Sequence, residues 1–165
     1  MLEGLSATAL VFVKLDAQGT EQSILQGAQP LFNTWRIVGI EMESTLLAQP
    51  IMKGSGKFWQ ACEYLESQGF ELLNIKPISA VSRSGRKKKN QNTYLTECDA
   101  VFALRPDVVL ELGIDCRLGL LAFYLTNHFY DEVLWLLECD KEIGQVLHSK
   151  GCRLNRLLCE IKNAT

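Results

Sequence analysis

Residues 11–21, Val-Phe-Val-Lys-Leu-Asp-Ala-Gln-Gly-Thr-Glu, run from an apolar stretch through a carboxylate and a glycine turn directly into a helical pattern. The apolar run at residues 9–13 predicts a buried strand, with Lys14 and Leu15 leading to Asp16 at its carboxyl end. Gln18, Gly19 and Thr20 supply the turn, and Glu21 falls in the first helical turn, where the positive end of a helix favours an acid. A strand that feeds a helix in this way is half of a βαβ unit, which restricts the chain to α/β architectures. In open α/β sheets ligands bind in the crevice beyond the carboxyl ends of the strands, where Asp16 would stand. The alternative is ordinary turn and capping chemistry, which uses the same residue types.

The alternation continues. Ile24, Leu25, Ala28, Leu31 and Phe32 keep a helical period over residues 21–35, with Pro30 predicting a kink or a break into two short helices. Residues 37–42 form a second apolar strand, followed by Glu43, and residues 44–56 read as a loop with a short helical piece. A helix over 57–68 presents Phe58, Trp59, Cys62, Tyr64 and Leu65, and Gly69 is placed to stop it in the left-handed conformation. Strands are predicted at 70–75 and 98–104, separated by the basic, polar segment 82–92, a mobile loop by composition. The order β-α-β-α-β-β predicts a parallel sheet covered on both faces that ends in an antiparallel hairpin. Beyond Pro106 no strand is evident, and residues 107–165 read as helices at about 108–112, 116–127, 129–138 and 140–162. Leu118, Leu121, Ala122 and Leu125 make one apolar stripe there, and Val133, Leu134, Leu136 and Leu137 another.

Composition excludes several classes. At 165 residues and 47% apolar content the chain is globular, and a net charge of −2 carries no footprint of general nucleic-acid binding. No apolar run approaches the ~20 residues of a membrane helix, and no basic segment followed by an apolar one marks a signal peptide, so a cytoplasmic protein is expected. The six cysteines contain no C-x-x-C pair and are expected as reduced, buried thiols; with His128 and His148 as its only histidines the chain is not expected to hold zinc. Trp35, Trp59 and Trp135 fall in helical apolar patterns and are expected in the core.

The block Lys14-Leu15-Asp16-Ala17-Gln18-Gly19-Thr20-Glu21, followed by Leu25-Gln26-Gly27-Ala28, resembles the K-I-D-x-[EQ]-G-x-E-x-x-x-L-x-G-A signature of the FkbM family of S-adenosylmethionine-dependent methyltransferases. The resemblance continues through Ile40-Glu41-Met42-Glu43, residues 64–72 and residues 97–102, so it covers about residues 2–105. Thr20 departs from it slightly, standing where family members often have an apolar residue. It implies the carboxyl half of a Rossmann-like methyltransferase sheet at residues 1–106, with a helical appendage at 107–165. It also implies O-methylation of a small-molecule hydroxyl, such as that of a sugar or secondary metabolite. The family's glycine-rich cofactor turn and ribose-binding acid have no counterpart here, and Gly54-Ser55-Gly56-Lys57 does not make a P-loop. The expectation is therefore a truncated, split or decayed methyltransferase, inactive alone, whose open sheet edge binds the missing amino-terminal half or a second copy.

On this reading Asp16, Glu21 and Glu41 are the candidate catalytic residues, and Asp16, Gln18 and Gly19 the candidate cofactor contacts. Glu43 and Arg86 are the candidate acceptor contacts, Arg86 from the basic segment, which otherwise is a solvated hairpin tip. Glu41 and Glu43 are expected to leave their strand on opposite faces, with Glu41 toward the crevice. A hard cation between Asp16 and one of these glutamates is a lesser alternative, and no metal is assigned. The competing function is a non-catalytic interaction module that keeps the sheet as scaffold and the helical tail as binding surface.

Overall fold

Val11–Leu15 forms β1, and the chain then turns into α1 (Glu21–Gly27) and α2 (Gln29–Phe32). The computed structural model describes residues 10–47, 56–81, 94–153, 156–159 and 161. The strand ends two residues later than its apolar run, so Asp16 follows it directly. Pro30 sits in the first turn of α2, where its missing N–H costs nothing, and the helical pattern breaks just ahead of it. After β2 (Ile37–Thr45) and α3 (Phe58–Ser67) come the long hairpin strands β3 (Phe70–Val81) and β4 (Tyr94–Leu104). Gly69 takes φ 86° and ends α3 as a left-handed stop.

The sheet order is β1-β2-β4-β3. β1 and β2 are parallel, whereas β4 runs antiparallel to both β2 and β3, so the sheet is mixed, with one parallel pair ahead of the antiparallel hairpin. The reason lies in β4. Residues 100–104 are apolar without alternation and almost wholly buried, so this strand has to lie between two others. β3, with Glu71, Asn74, Lys76 and Pro77, is the more polar partner and takes the edge, where a proline costs no ladder bond.

One face of the sheet carries α1–α3 through Leu25, Phe32, Leu65 and Phe70, all buried. The Phe32 ring meets Phe70 and Tyr64 edge-on, at 5.6 and 6.0 Å between centroids. Tyr64 Oη donates to Gln29 Oε1 (2.8 Å), and Gln29 Nε2 donates to Gln68 Oε1 (2.7 Å), tying α2 to α3. Each of the large apolar side chains contributes about 1.5–3 kcal/mol on burial. Trp59 departs from expectation: it lies on the outer face of α3, 52% exposed.

The chain divides into two compact units, Met1–Arg105 and Pro106–Thr165. The second is helical, with α4 (Pro106–Val109), α5 (Ile114–Thr126), α6 (Tyr130–Cys139) and α7 (Lys141–Ser149). Its core is Leu120, Leu121, Phe123, Tyr124, Val133, Leu136 and Ile143. Ala122 is exposed, so the buried face of α5 is rotated from the predicted stripe toward its aromatic residues. Asp140 caps α7, accepting from the backbone N–H groups of Glu142 (3.0 Å) and Ile143 (3.4 Å), and so separates α7 from α6. Arg117 of α5 bridges Asp140 and Glu142.

All six cysteines are thiols. Only Cys98 is fully buried, and burial pushes its thiol up to about 11; Cys139 and Cys159 are exposed, against the expectation of a uniformly buried set. Among the described residues no helix is long and apolar enough to cross a membrane.

Candidate functional site

β1 pairs with β2 as far as Leu15 opposite Met42, but β2 runs on to Thr45. The edge of residues 43–45 that β1 leaves uncovered is met farther out by a parallel bridge between Thr45 and Lys57. Between that bridge and the β1–α1 turn lies a cleft of about 60 Å³. Its walls are Gln18 and Gly19 of the turn, Glu21 and Gln22 of α1, Glu43, Ser44 and Thr45 of β2, Gly56 and Lys57 before α3, and Glu97 of β4. This is the crevice beyond the carboxyl end of a parallel strand, where α/β sheets take ligands.

The turn that forms one wall is held by Glu21. Its buried carboxylate accepts from the backbone N–H of Ala17 (2.8 Å) and of Gly19 (3.1 Å). Those bonds stabilise a conformation in which Gln18 takes φ 53° and Gly19 φ 104°. Both bonds fall on Glu21 Oε1, and through that oxygen the carboxylate shapes the turn. Gln18 Nε2 in turn donates to Asp16 Oδ1 at 3.1 Å and reaches Glu43 Oε2 at 3.5 Å.

Glu41 and Glu43 lie on the same face of β2, not on opposite faces. The strand does not stop at Met42, and side chains two apart in a continuing strand point the same way. Their environments separate them instead. Glu41 accepts from Lys14 Nζ (2.6 Å) and Lys76 Nζ (2.9 Å), which hold its carboxyl below the usual range despite partial burial. A carboxylate with both oxygens paired to lysines is a poor base, and it is not part of the cleft wall. Glu43 is the opposite case: burial, then hydrogen bonding and repulsion from Asp16, push its carboxyl up. Gln18 Nε2 links Asp16 to Glu43, and of the β2 carboxylates it is Glu43, not Glu41, that lines the cleft.

A raised carboxyl makes a testable statement about stability. The folded chain binds the Glu43 proton more tightly than the unfolded chain does, so ionised Glu43 weakens the fold above its titration and not below it. Glu43→Gln is expected to melt higher than the parent at pH 7, with the difference closing as pH falls through the carboxylate range. Paired thermal melts across that range measure it, and a lower melting temperature at pH 7 contradicts it.

Arg86 lies outside the described residues, as does the whole basic segment 82–92. Among the described residues no group of three His, Cys, Asp or Glu side chains is arranged to hold a metal ion. The sequence reading passed over Gln22, Ser44, Lys57 and Glu97. The strand pattern places Ser44 one residue beyond Glu43, and only the longer β2 makes it a wall residue. No family model matches the chain, and no curated protein and no solved structure matches it significantly.

Proposed function

We propose that the first unit is the acceptor-side half of an S-adenosylmethionine-dependent methyltransferase of FkbM type, acting on a hydroxyl of a small molecule such as a sugar. One observation carries the reading: the signature block folds as strand, turn and helix, and Asp16, Gln18, Gly19 and Glu43 converge where that strand ends. The parallel pair followed by a terminal antiparallel hairpin is the sheet arrangement the resemblance implies.

The cleft, about 60 Å³, is far below the roughly 300–1,000 Å³ of sites that enclose a metabolite-sized ligand. Its carboxylates suit the cationic end of the cofactor, while the rest must be held by the glycine-rich half of the domain. S-adenosylmethionine supplies an electrophilic methyl group on a sulfonium. The chain's own part is to orient the acceptor hydroxyl between Asp16 and Glu43 and to take its proton on Glu43, whose raised affinity for a proton suits a base. Cytoplasmic location belongs to the same reading.

A heteronuclear NMR titration of the chain with S-adenosylmethionine at millimolar concentration tests this. Shifts confined to residues 16–19 and Glu43, lost in Asp16→Asn, are expected; no shift at these amides sinks the proposal. The interaction-module reading is favoured by the apolar side chains on the edge strand β3, where Leu72, Ile75 and Ile78 are exposed. It expects self-association or partner capture through that edge and a silent cofactor titration.

A further inference from the structure

The walls of the cleft are rich in groups that need a hydrogen-bond donor. Ser44 is buried, 7% exposed, and lines the cleft, and among the described residues its Oγ has no partner. Gln22 Oε1 is also buried without a partner among the described residues, and an amide oxygen can only accept. The carboxylates of Glu43 and Glu97 add further acceptors. Glu97 Oε2 takes one bond from Ser79 Oγ at 2.7 Å, which leaves capacity for more. Against them stands Lys57, half-exposed, as the one cation among the described wall residues. A buried acceptor left unmatched is unfavourable, so the arrangement calls for a ligand that brings several donors and a positive charge.

We propose that this cleft binds a small primary ammonium group. An ammonium carries three donors and no acceptor, which matches a wall whose unmatched and charged oxygens can all accept. A neutral hydroxyl brings a single donor and no charge to offset Glu43 and Glu97. The size agrees, because about 60 Å³ has room for an aminomethyl or aminoethyl head. Gly56 keeps the space open: a Cβ there would lie 2.7 Å from Gln22 Cβ and push that side chain out of position. The proposal does not rest on methyl transfer. A positive amine titration beside a silent S-adenosylmethionine titration would leave it standing alone.

The test is an NMR titration of the whole chain with ethanolamine, and with ethylene glycol as its neutral counterpart, at matched pH and ionic strength. Ethanolamine is expected to give saturable shifts at Gln22, Ser44 and Gly56, and ethylene glycol none. Glu43→Gln and Ser44→Ala should each weaken ethanolamine by about tenfold, the loss expected for a hydrogen bond to a charged group. Glu97→Gln, a change that keeps side-chain volume, gives the same reading should Ser44→Ala fail to fold. Equal shifts with ethylene glycol, shifts that do not saturate, or unchanged affinity in Glu43→Gln and Glu97→Gln would overturn the proposal and leave the cleft to water.

Discussion

Glu21→Ala is expected to lower the stability of the first unit by about 2–4 kcal/mol, a large effect for a side chain that looks like an ordinary first-turn acid. Its carboxylate is buried and is the acceptor for the backbone N–H groups of Ala17 and Gly19. Removing it strands both donors in a turn where Gln18, a residue with a Cβ, is held at φ 53°. The same loss should collapse the cleft, because the turn is one of its walls. Glu21→Gln separates the two consequences: the amide oxygen can still accept from both N–H groups, so most of the stability should return. Denaturant titration of both variants, with amide exchange at residues 17–19, gives the readout. An alanine variant as stable as the parent would show that the turn holds without its carboxylate.

In the helical unit the largest effect is expected at Asp140. Asp140→Ala removes two contacts at once, the N-cap of α7 and the partner of Arg117 Nη1. The cap alone contributes about 1 kcal/mol. The Arg117 side chain is 14% exposed and would keep only Glu142, itself 53% exposed, so a mostly buried guanidinium loses its better-shielded partner. Together the expected cost is about 2–4 kcal/mol. Asp140→Asn keeps an oxygen to cap α7 and gives up the ion pair, so it should fall between parent and alanine. Amide-exchange protection in Lys141–Ser149 reports this locally; equal protection in the Asn and Ala variants would mean that the cap contributes nothing.

The β1–α1 unit was legible because its determinants are local: an apolar strand, a carboxylate, a glycine in the turn and an acid at the helix start. Gly69 and the Pro30 break were legible for the same reason, since each acts through its own backbone dihedrals. The strand ends were not. Three further residues of β2 are polar and the outer hairpin is mixed, with Lys76, Ser79, Thr96 and Glu97 among Pro77, Ile78 and Leu95, and they are strand because a neighbouring strand supplies their hydrogen bonds. That extension decided the site. It put Glu43 on the face already occupied by Glu41, brought Ser44 and Thr45 into the wall, and left Lys14 and Lys76 to neutralise Glu41.

By itself, the sequence determined the α/β class of the first unit, the helical character of the second and the crevice end of β1 as the place to look, all from patterns a few residues long. Tertiary structure alone decided the insertion of β4 between β2 and β3, which glutamate meets the cleft and which is tied to lysines, and that Glu21 holds backbone. Those outcomes depend on residues far apart in the chain meeting across strand register, and register is set by pairing partners that no local pattern names.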